Sequence, residues 1–85
     1  MATVAFVQDH SAGWVQIAAD SDAQFLVENQ TTKHPVRVTY AASAPAADAP
    51  FHVILPGQCM PRVAAGNVYF HAVDAEQTSR VVISK

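Results

Sequence analysis

The chain has 85 residues, 51% of them hydrophobic, and a formal net charge of −2. This length fits one small domain and excludes a two-domain enzyme. Charged residues make up only 14% of the chain, well below the usual quarter, and valine is abundant, so a disordered chain is excluded as well. Leucine and glutamate, which favour helices, are scarce. Composition therefore predicts a single β domain over residues 1–85.

The distribution of charge excludes several kinds of partner. The basic residues are all separated from one another, so the chain offers no stripe for binding nucleic acid. The acidic residues form no calcium-binding loop. The N-terminus lacks the basic region of a signal peptide, and no apolar run approaches about 18 residues. We therefore expect a protein that is made in a cytoplasm and does not bind a membrane.

The single cysteine, Cys59, excludes a disulfide within the chain. A domain of this size has a marginal hydrophobic core. Its stability must therefore come from that core, from a partner or from self-association.

Seven short apolar runs separated by turn residues are typical of an antiparallel sandwich or a jelly-roll-like barrel of seven or eight short strands. The predicted strands are Thr3–Val7, Trp14–Ala18, Gln24–Glu28, Val36–Tyr40, Phe51–Leu55, Val68–Val73 and Arg80–Ser84. Pro56-Gly57 and Gly66-Asn67 are strong turn dipeptides. The segment Ala41–Pro50 consists mostly of small residues and is long for a hairpin connection. We expect it to cross from one sheet to the other, or to project as an arm.

Alternation along the strands predicts which side chains face the core, because successive residues of a strand point to opposite faces. The predicted core residues are Val36, Val38 and Tyr40, then Phe51, Val53 and Leu55, then Val68, Phe70 and Ala72, and finally Val81 and Ile83.

This assignment leaves several apolar residues on the opposite face, namely Ile54, Tyr69, Val73 and Val82. A monomeric sandwich normally carries polar residues there, and a contiguous exposed apolar face is usually covered by another chain. We therefore predict an interface formed by these four residues with Trp14 and His71, and with Arg37 and Arg62 at its rim. The alternative is that the four apolar residues fall on different sheets and form no patch.

The histidines and the cysteine do not have the spacing of a metal site. His10, His34, His52 and His71 form no close pair, and Cys59 adjoins Met60, which departs from the ligand order of a blue-copper loop. No Gly-x-Ser-x-Gly elbow and no glycine-rich phosphate loop occurs. We therefore predict no enzymatic activity, no metal, no cofactor and no small-molecule substrate.

Two further hypotheses concern aromatic and titratable side chains. Trp14 and Tyr69 are candidates for stacking a sugar or peptide if the chain is a monomeric binding module. His52 and His71 alternate outward on neighbouring predicted strands, so a titrating pair there would make assembly sensitive to pH.

From residue 24 onward the chain has a recognisable order of elements. A strand ending in Asn29 is followed by Pro35–Tyr40 and the small-residue segment, then by Phe51–Gly57, Arg62–Ala72 and a closing strand at Ser79–Ser84. This pattern resembles the small β-sandwich structural proteins of tailed bacteriophages, in which a half of this kind follows a tryptophan-containing N-terminal strand.

The resemblance implies a non-enzymatic virion component, chiefly a capsid decoration (cement) protein that bridges subunits of the major capsid protein. A small tail or fibre component is the related alternative. The expected partners are further copies of the chain and the major capsid protein, and closed cyclic symmetry leads us to prefer a trimer over a dimer. The implied location is the virion, after synthesis in the host cytoplasm. The chain lacks the long N-terminal arm of larger cement proteins, which argues against a far-reaching clamp.

Overall fold

Eight short strands form an all-β sandwich in the computed structural model, which describes residues 3–22, 25–31, 33–73 and 78–84. The strands are β1 (Thr3–Gln8), β2 (Trp14–Ala18), β3 (Leu26–Asn29), β4 (Val36–Ala41), β5 (His52–Ile54), β6 (Cys59–Pro61), β7 (Asn67–Ala72) and β8 (Ser79–Ser84). A short 3-10 helix, His10–Ala12, connects β1 to β2. All seven predicted strands are present, β6 is the eighth, and Gln24 lies outside the described residues.

The strands form two four-stranded sheets in which every neighbouring pair is antiparallel. Sheet A has the order β1-β8-β3-β6, and sheet B has the order β2-β7-β4-β5. Among the described residues no strand pairing joins one sheet to the other. The predicted antiparallel sandwich is therefore confirmed, whereas the barrel alternative is wrong.

The hydrophobic core lies between the two sheets, and most of it follows the predicted alternation. Val36 and Val38 of β4 are fully buried, with Tyr40 partly buried at its edge. The predicted core residues of the last two strands are buried as well: Val68, Phe70, Ala72, Val81 and Ile83. Central strands of both sheets thus supply the core, because each is covered on its inner face by the opposite sheet.

The predicted faces of β5 are the wrong way round. Ile54 is buried at 3% exposure, whereas Phe51, Val53 and Leu55 are 43%, 52% and 50% exposed. The register explains this, because Ile54 lies directly opposite Val36 of β4, and opposite residues point to the same face. Val36 faces the core, so Ile54 does too. The apolar residues on either side of Ile54 therefore lie on the outside.

The segment 41–50 does not cross between the sheets, as the sequence led us to expect. It joins β4 to β5, which are neighbours in sheet B. It also does not project from the domain, because two side chains of sheet B hold it by hydrogen bonds. Trp14 Nε1 donates to the carbonyl of Ala46 at 3.2 Å, and Thr39 Oγ1 donates to that of Pro50 at 2.7 Å. The segment therefore folds back over the outer face of its own sheet.

Candidate protein-binding face

One row of side chains crosses the outer face of sheet B from edge to edge. Trp14 of β2 lies opposite His71 of β7, His71 lies opposite Arg37 of β4, and Arg37 lies opposite Val53 of β5. Each pair shares a face because directly opposite residues in antiparallel strands point the same way. The outer surface built around this row, with Phe51 and His10, is called the sheet-B face below.

The Phe51 ring contacts two residues of this row, Trp14 and Arg37. Its ring centroid is 6.4 Å from that of Trp14, and the Arg37 guanidinium carbon lies 4.6 Å from the Phe51 centroid. The latter distance fits a cation–π contact. Trp14 also lies 5.3 Å from His71 between ring centroids. The sheet-B face is therefore a connected cluster of aromatic and cationic groups with apolar surface along β5.

His71 is the most constrained titratable group of the sheet-B face. Its ring centroid is 5.0 Å from that of His10, and its Nδ1 atom is buried with no hydrogen-bond partner among the described residues. Burial lowers the pKa of His71 below the ordinary 6.5, and the nearby charges of His10 and Arg37 lower it further. A hydrogen bond to the His10 backbone acts in the opposite direction and is outweighed. The folded chain therefore favours the neutral form of His71.

We expect His71 to destabilise the folded chain in acid. The unfolded chain binds a proton at His71 near pH 6.5, whereas the folded chain binds it only at lower pH. The unfolded state thus holds more protons in this interval, so the free energy of unfolding falls as pH drops through 6.5. Thermal unfolding of the wild type and of His71→Phe from about pH 8 to about pH 5 measures this. The stability of His71→Phe should fall less than that of the wild type as pH decreases over this range.

His52→Phe is the matched control for this titration, because His52 is exposed on β5. It should keep the acid-side decrease of the wild type. An equal decrease in His71→Phe would contradict the assignment to His71.

The four apolar residues predicted to form one outer patch are distributed over the molecule. Ile54 is in the core, and Val82 lies on the outer face of sheet A, between Ala5 and Glu28. Tyr69 points outward but is only 6% exposed. Val73 follows β7 directly and is partly buried. The alternative that these residues fall on different sheets is therefore what the structure shows.

The returning segment is anchored on either side of Tyr69, which is buried although it points outward. It lies between Gln16 of β2 and Thr39 of β4 in the register of sheet B. The segment is hydrogen-bonded to Trp14 on one side of this position and to Thr39 on the other. Tyr69 therefore presents little surface to a partner.

Arg62, which the sequence analysis places at the rim of an interface, joins several loops by hydrogen bonds to their backbone. Its guanidinium donates hydrogen bonds to four backbone carbonyls, those of Asp22 (2.8 Å), Ala64 (2.8 Å), Ala19 (2.9 Å) and Gly66 (3.3 Å). The guanidinium carbon lies 5.0 Å from the Phe25 ring centroid. Arg62 therefore has a structural role, and its contact at the rim of an interface stays a prediction.

The hypothesis of a titrating pair of His52 and His71 is also wrong. His52 lies opposite Val38, a core residue of β4, whereas His71 lies on the outer face. The imidazole next to His71 is that of His10, in the connection between β1 and β2. Strand alternation carries no signal for this contact, because His10 belongs to no strand.

The described residues hold no group of three or more His, Cys, Asp or Glu side chains that would bind a metal ion. Within the same residues, no helix is long and apolar enough to cross a membrane. Cys59 is exposed on β6, opposite Glu28 of β3. The sheet-B face groups aromatic and cationic side chains with exposed apolar ones, a composition that suits binding of another molecule.

The chain matches no protein-family model and no curated sequence.

Proposed function

We propose that the chain is a non-enzymatic structural protein of a tailed-phage virion, and in particular a capsid decoration protein that binds capsid subunits through the sheet-B face. One observation supports this choice of binding surface. Val53 of β5 and its flanking residues Phe51 and Leu55 point outward, where each is between 43% and 52% exposed. Together with Trp14 and Arg37, these residues have the composition of an interface centre, which is enriched in aromatic residues and arginine.

The sheet-B face indicates what a partner would present. The β5 side of the row is apolar, so it would pack against aliphatic or aromatic side chains. Arg37 has its guanidinium over the Phe51 ring, which leaves its edge for a carboxylate of the partner. The anchored segment 41–50 covers the neighbouring part of the sheet and borders this surface. A subunit boundary with apolar residues around an acidic group would fit it.

Binding at subunit boundaries would stabilise a shell by mass action, because a protein that binds only the assembled state shifts the equilibrium toward assembly. The low charge of the chain and its many small residues suit a protein that works by contact. This role needs no catalytic group.

The sugar- or peptide-binding alternative has less support. Tyr69, one half of its proposed platform, is only 6% exposed. The other half, Trp14, uses its indole N–H within the chain and packs against Phe51 and His71. A tail or fibre component would use the same face and differ only in its partner.

Sedimentation with capsid shells tests the proposal. The chain is mixed with shells assembled from the major capsid protein of the same genome and centrifuged through a gradient. We expect it to comigrate with shells at a fixed ratio. Val53→Lys should weaken this binding by about tenfold or more, because it places a charge in the apolar part of the face.

Leu26→Lys is the control for that substitution, since Leu26 is 46% exposed on the outer face of sheet A. It should bind shells like the wild type. A wild-type chain that stays at the top of the gradient would refute the decoration role. Equal binding by Val53→Lys and Leu26→Lys would refute the assignment of the face.

A further inference from the structure

Four strands lie at the edges of the two sheets: β1, β6, β2 and β5. The outer edge of such a strand presents backbone N–H and C=O groups to which another strand can pair. Proteins usually block this pairing by shortness, proline, charge or a bulge. How each edge is protected therefore indicates where another chain can add a strand.

Three of the four edges carry such a protection. Strand β2 has a register shift between Gln16 and Ala18. Strand β6 has only three residues and ends in Pro61, which has no N–H to donate. Strand β5 is equally short, and the carbonyl of Ile54 already accepts a hydrogen bond from Asn29 Nδ2 at 2.9 Å.

Strand β1 carries none of these protections. Its six residues, Thr3–Gln8, include no charged residue, no proline and no glycine. It pairs with β8 along its whole length without a register shift. A regular, uncharged edge in which half of the residues are β-branched is a template for strand pairing.

The side chains of β1 also leave apolar surface uncovered at this edge. Val4 and Phe6 lie opposite the core residues Ile83 and Val81, so both point to the inner side of sheet A. Phe6 packs on the core, but Val4 is still 39% exposed. Phe6 also lines a groove with Ile17 and other residues of β2. Within the described ranges, no segment covers the open side of the sandwich next to β1.

We propose that β1 pairs antiparallel with β1 of a second copy, so that two sheets A join into one continuous eight-stranded sheet. Several registers keep inner residues opposite inner residues, and we place Ala5 on the two-fold axis because this register pairs the two inward apolar side chains of β1 with each other. Val4 then lies opposite Phe6 of the second copy, which is a favourable pair of β-branched and aromatic side chains. Because β1 has no charge, self-pairing brings no like charges together.

This arrangement is an isologous dimer, in which the same edge serves both copies and no edge of β1 remains free. It differs from the trimer preferred on sequence grounds. It uses the side of the sandwich and not the sheet-B face, so it stands independently of the proposed role on capsid shells.

Solution mass tests this edge directly. Light scattering coupled to size exclusion, from micromolar to millimolar concentration, should show the wild type reaching twice the mass of the chain. Val4→Lys, which places a charge at the edge, should remain a monomer and keep the wild-type circular dichroism spectrum. Val63→Lys, the same substitution at an exposed position between β6 and β7, should form the dimer. A monomeric wild type, or a dimeric Val4→Lys, would overturn the proposal.

Cross-linking tests the register. In a Cys59→Ser background, Ala5→Cys should give a disulfide-linked dimer under mild oxidation, because the two-fold axis brings the new thiols within disulfide distance. Val63→Cys in the same background should not. Failure of Ala5→Cys to cross-link above the Val63→Cys level would overturn the register.

Discussion

Replacing Arg62 by methionine is expected to destabilise the fold by about 3 kcal/mol, which for a domain of this size lowers the unfolding temperature by roughly 12–24 °C. The loss is large because one half-buried guanidinium donates to four backbone carbonyls. Methionine preserves most of the side-chain volume but donates no hydrogen bond. The carbonyls of Ala19 and Asp22 would then lose the partner that joins their loop to the one before β7.

Arg80→Met is the matched control. Arg80 is exposed on β8, and its guanidinium Nε donates to Gln30 Oε1 at 2.9 Å. Water replaces such a bond readily, so this variant should lose less than about 1 kcal/mol. Chemical denaturation of both variants measures the difference. Equal losses would show that Arg62 does not act through its backbone hydrogen bonds.

The second large effect is expected at Asn29, which is fully buried. Its Nδ2 donates to the carbonyls of His34 (3.0 Å) and Ile54 (2.9 Å), and its Oδ1 accepts from the backbone N–H of Thr31 (2.9 Å). Asn29→Ala leaves three backbone groups without this partner in a buried site. We expect a loss of about 3–4 kcal/mol in the free energy of unfolding.

Asn29→Asp tests the donor bonds separately. The variant keeps the acceptor for Thr31 but removes both donors and adds a buried charge. Burial raises the pKa of such a carboxyl, so the variant should regain stability as pH falls and the group becomes protonated. Asn67→Ala is the control, since the two hydrogen bonds of the Asn67 side chain are exposed. It should cost about 1 kcal/mol or less. A loss in Asn29→Ala no greater than this would contradict the role of Asn29.

Asn29 links stability to the proposed function. Its side chain holds the end of β5 through the Ile54 carbonyl, and its backbone carbonyl accepts from the N–H of Gly57 at 2.8 Å in the following turn. These bonds position the edge strand that carries Val53. A variant at Asn29 should therefore weaken shell binding together with stability, whereas Val53→Lys should weaken binding alone.

The strands of this fold are predictable from sequence because turn residues separate the apolar runs. The faces of β4, β7 and β8 are also predictable, since each presents an apolar side chain at every second position and is central in its sheet. Strand β5 is different. Its sequence has three large apolar residues on one face and Ile54 on the other, and alternation assigns the larger set to the core.

The register with β4 decides against that assignment, and register is a tertiary property. A shift of one residue exchanges the two faces of a strand completely. The residues assigned to the wrong face are also the ones on which the proposed binding surface depends. Exposed apolar side chains on a short edge strand add little to the stability of an isolated monomer.

The remaining differences arise where side chains bind distant backbone. The sequence does not show that Trp14 donates to Ala46 or that Arg62 donates to four carbonyls, because these contacts join residues far apart in the chain. Of the predicted interface residues, Trp14, Arg37 and His71 do lie in one row. For Arg37 and His71 the sequence signal is their outward position in the strand alternation.

The proposed function requires that the sheet-B face is where the chain meets its partner in an assembly. Electron cryomicroscopy of shells of the major capsid protein, reconstructed with and without the chain, tests this most directly. We predict additional density over subunit boundaries, with Val53 and Phe51 against the shell. Density that turns the sheet-B face toward solvent, or no additional density on saturated shells, would contradict it.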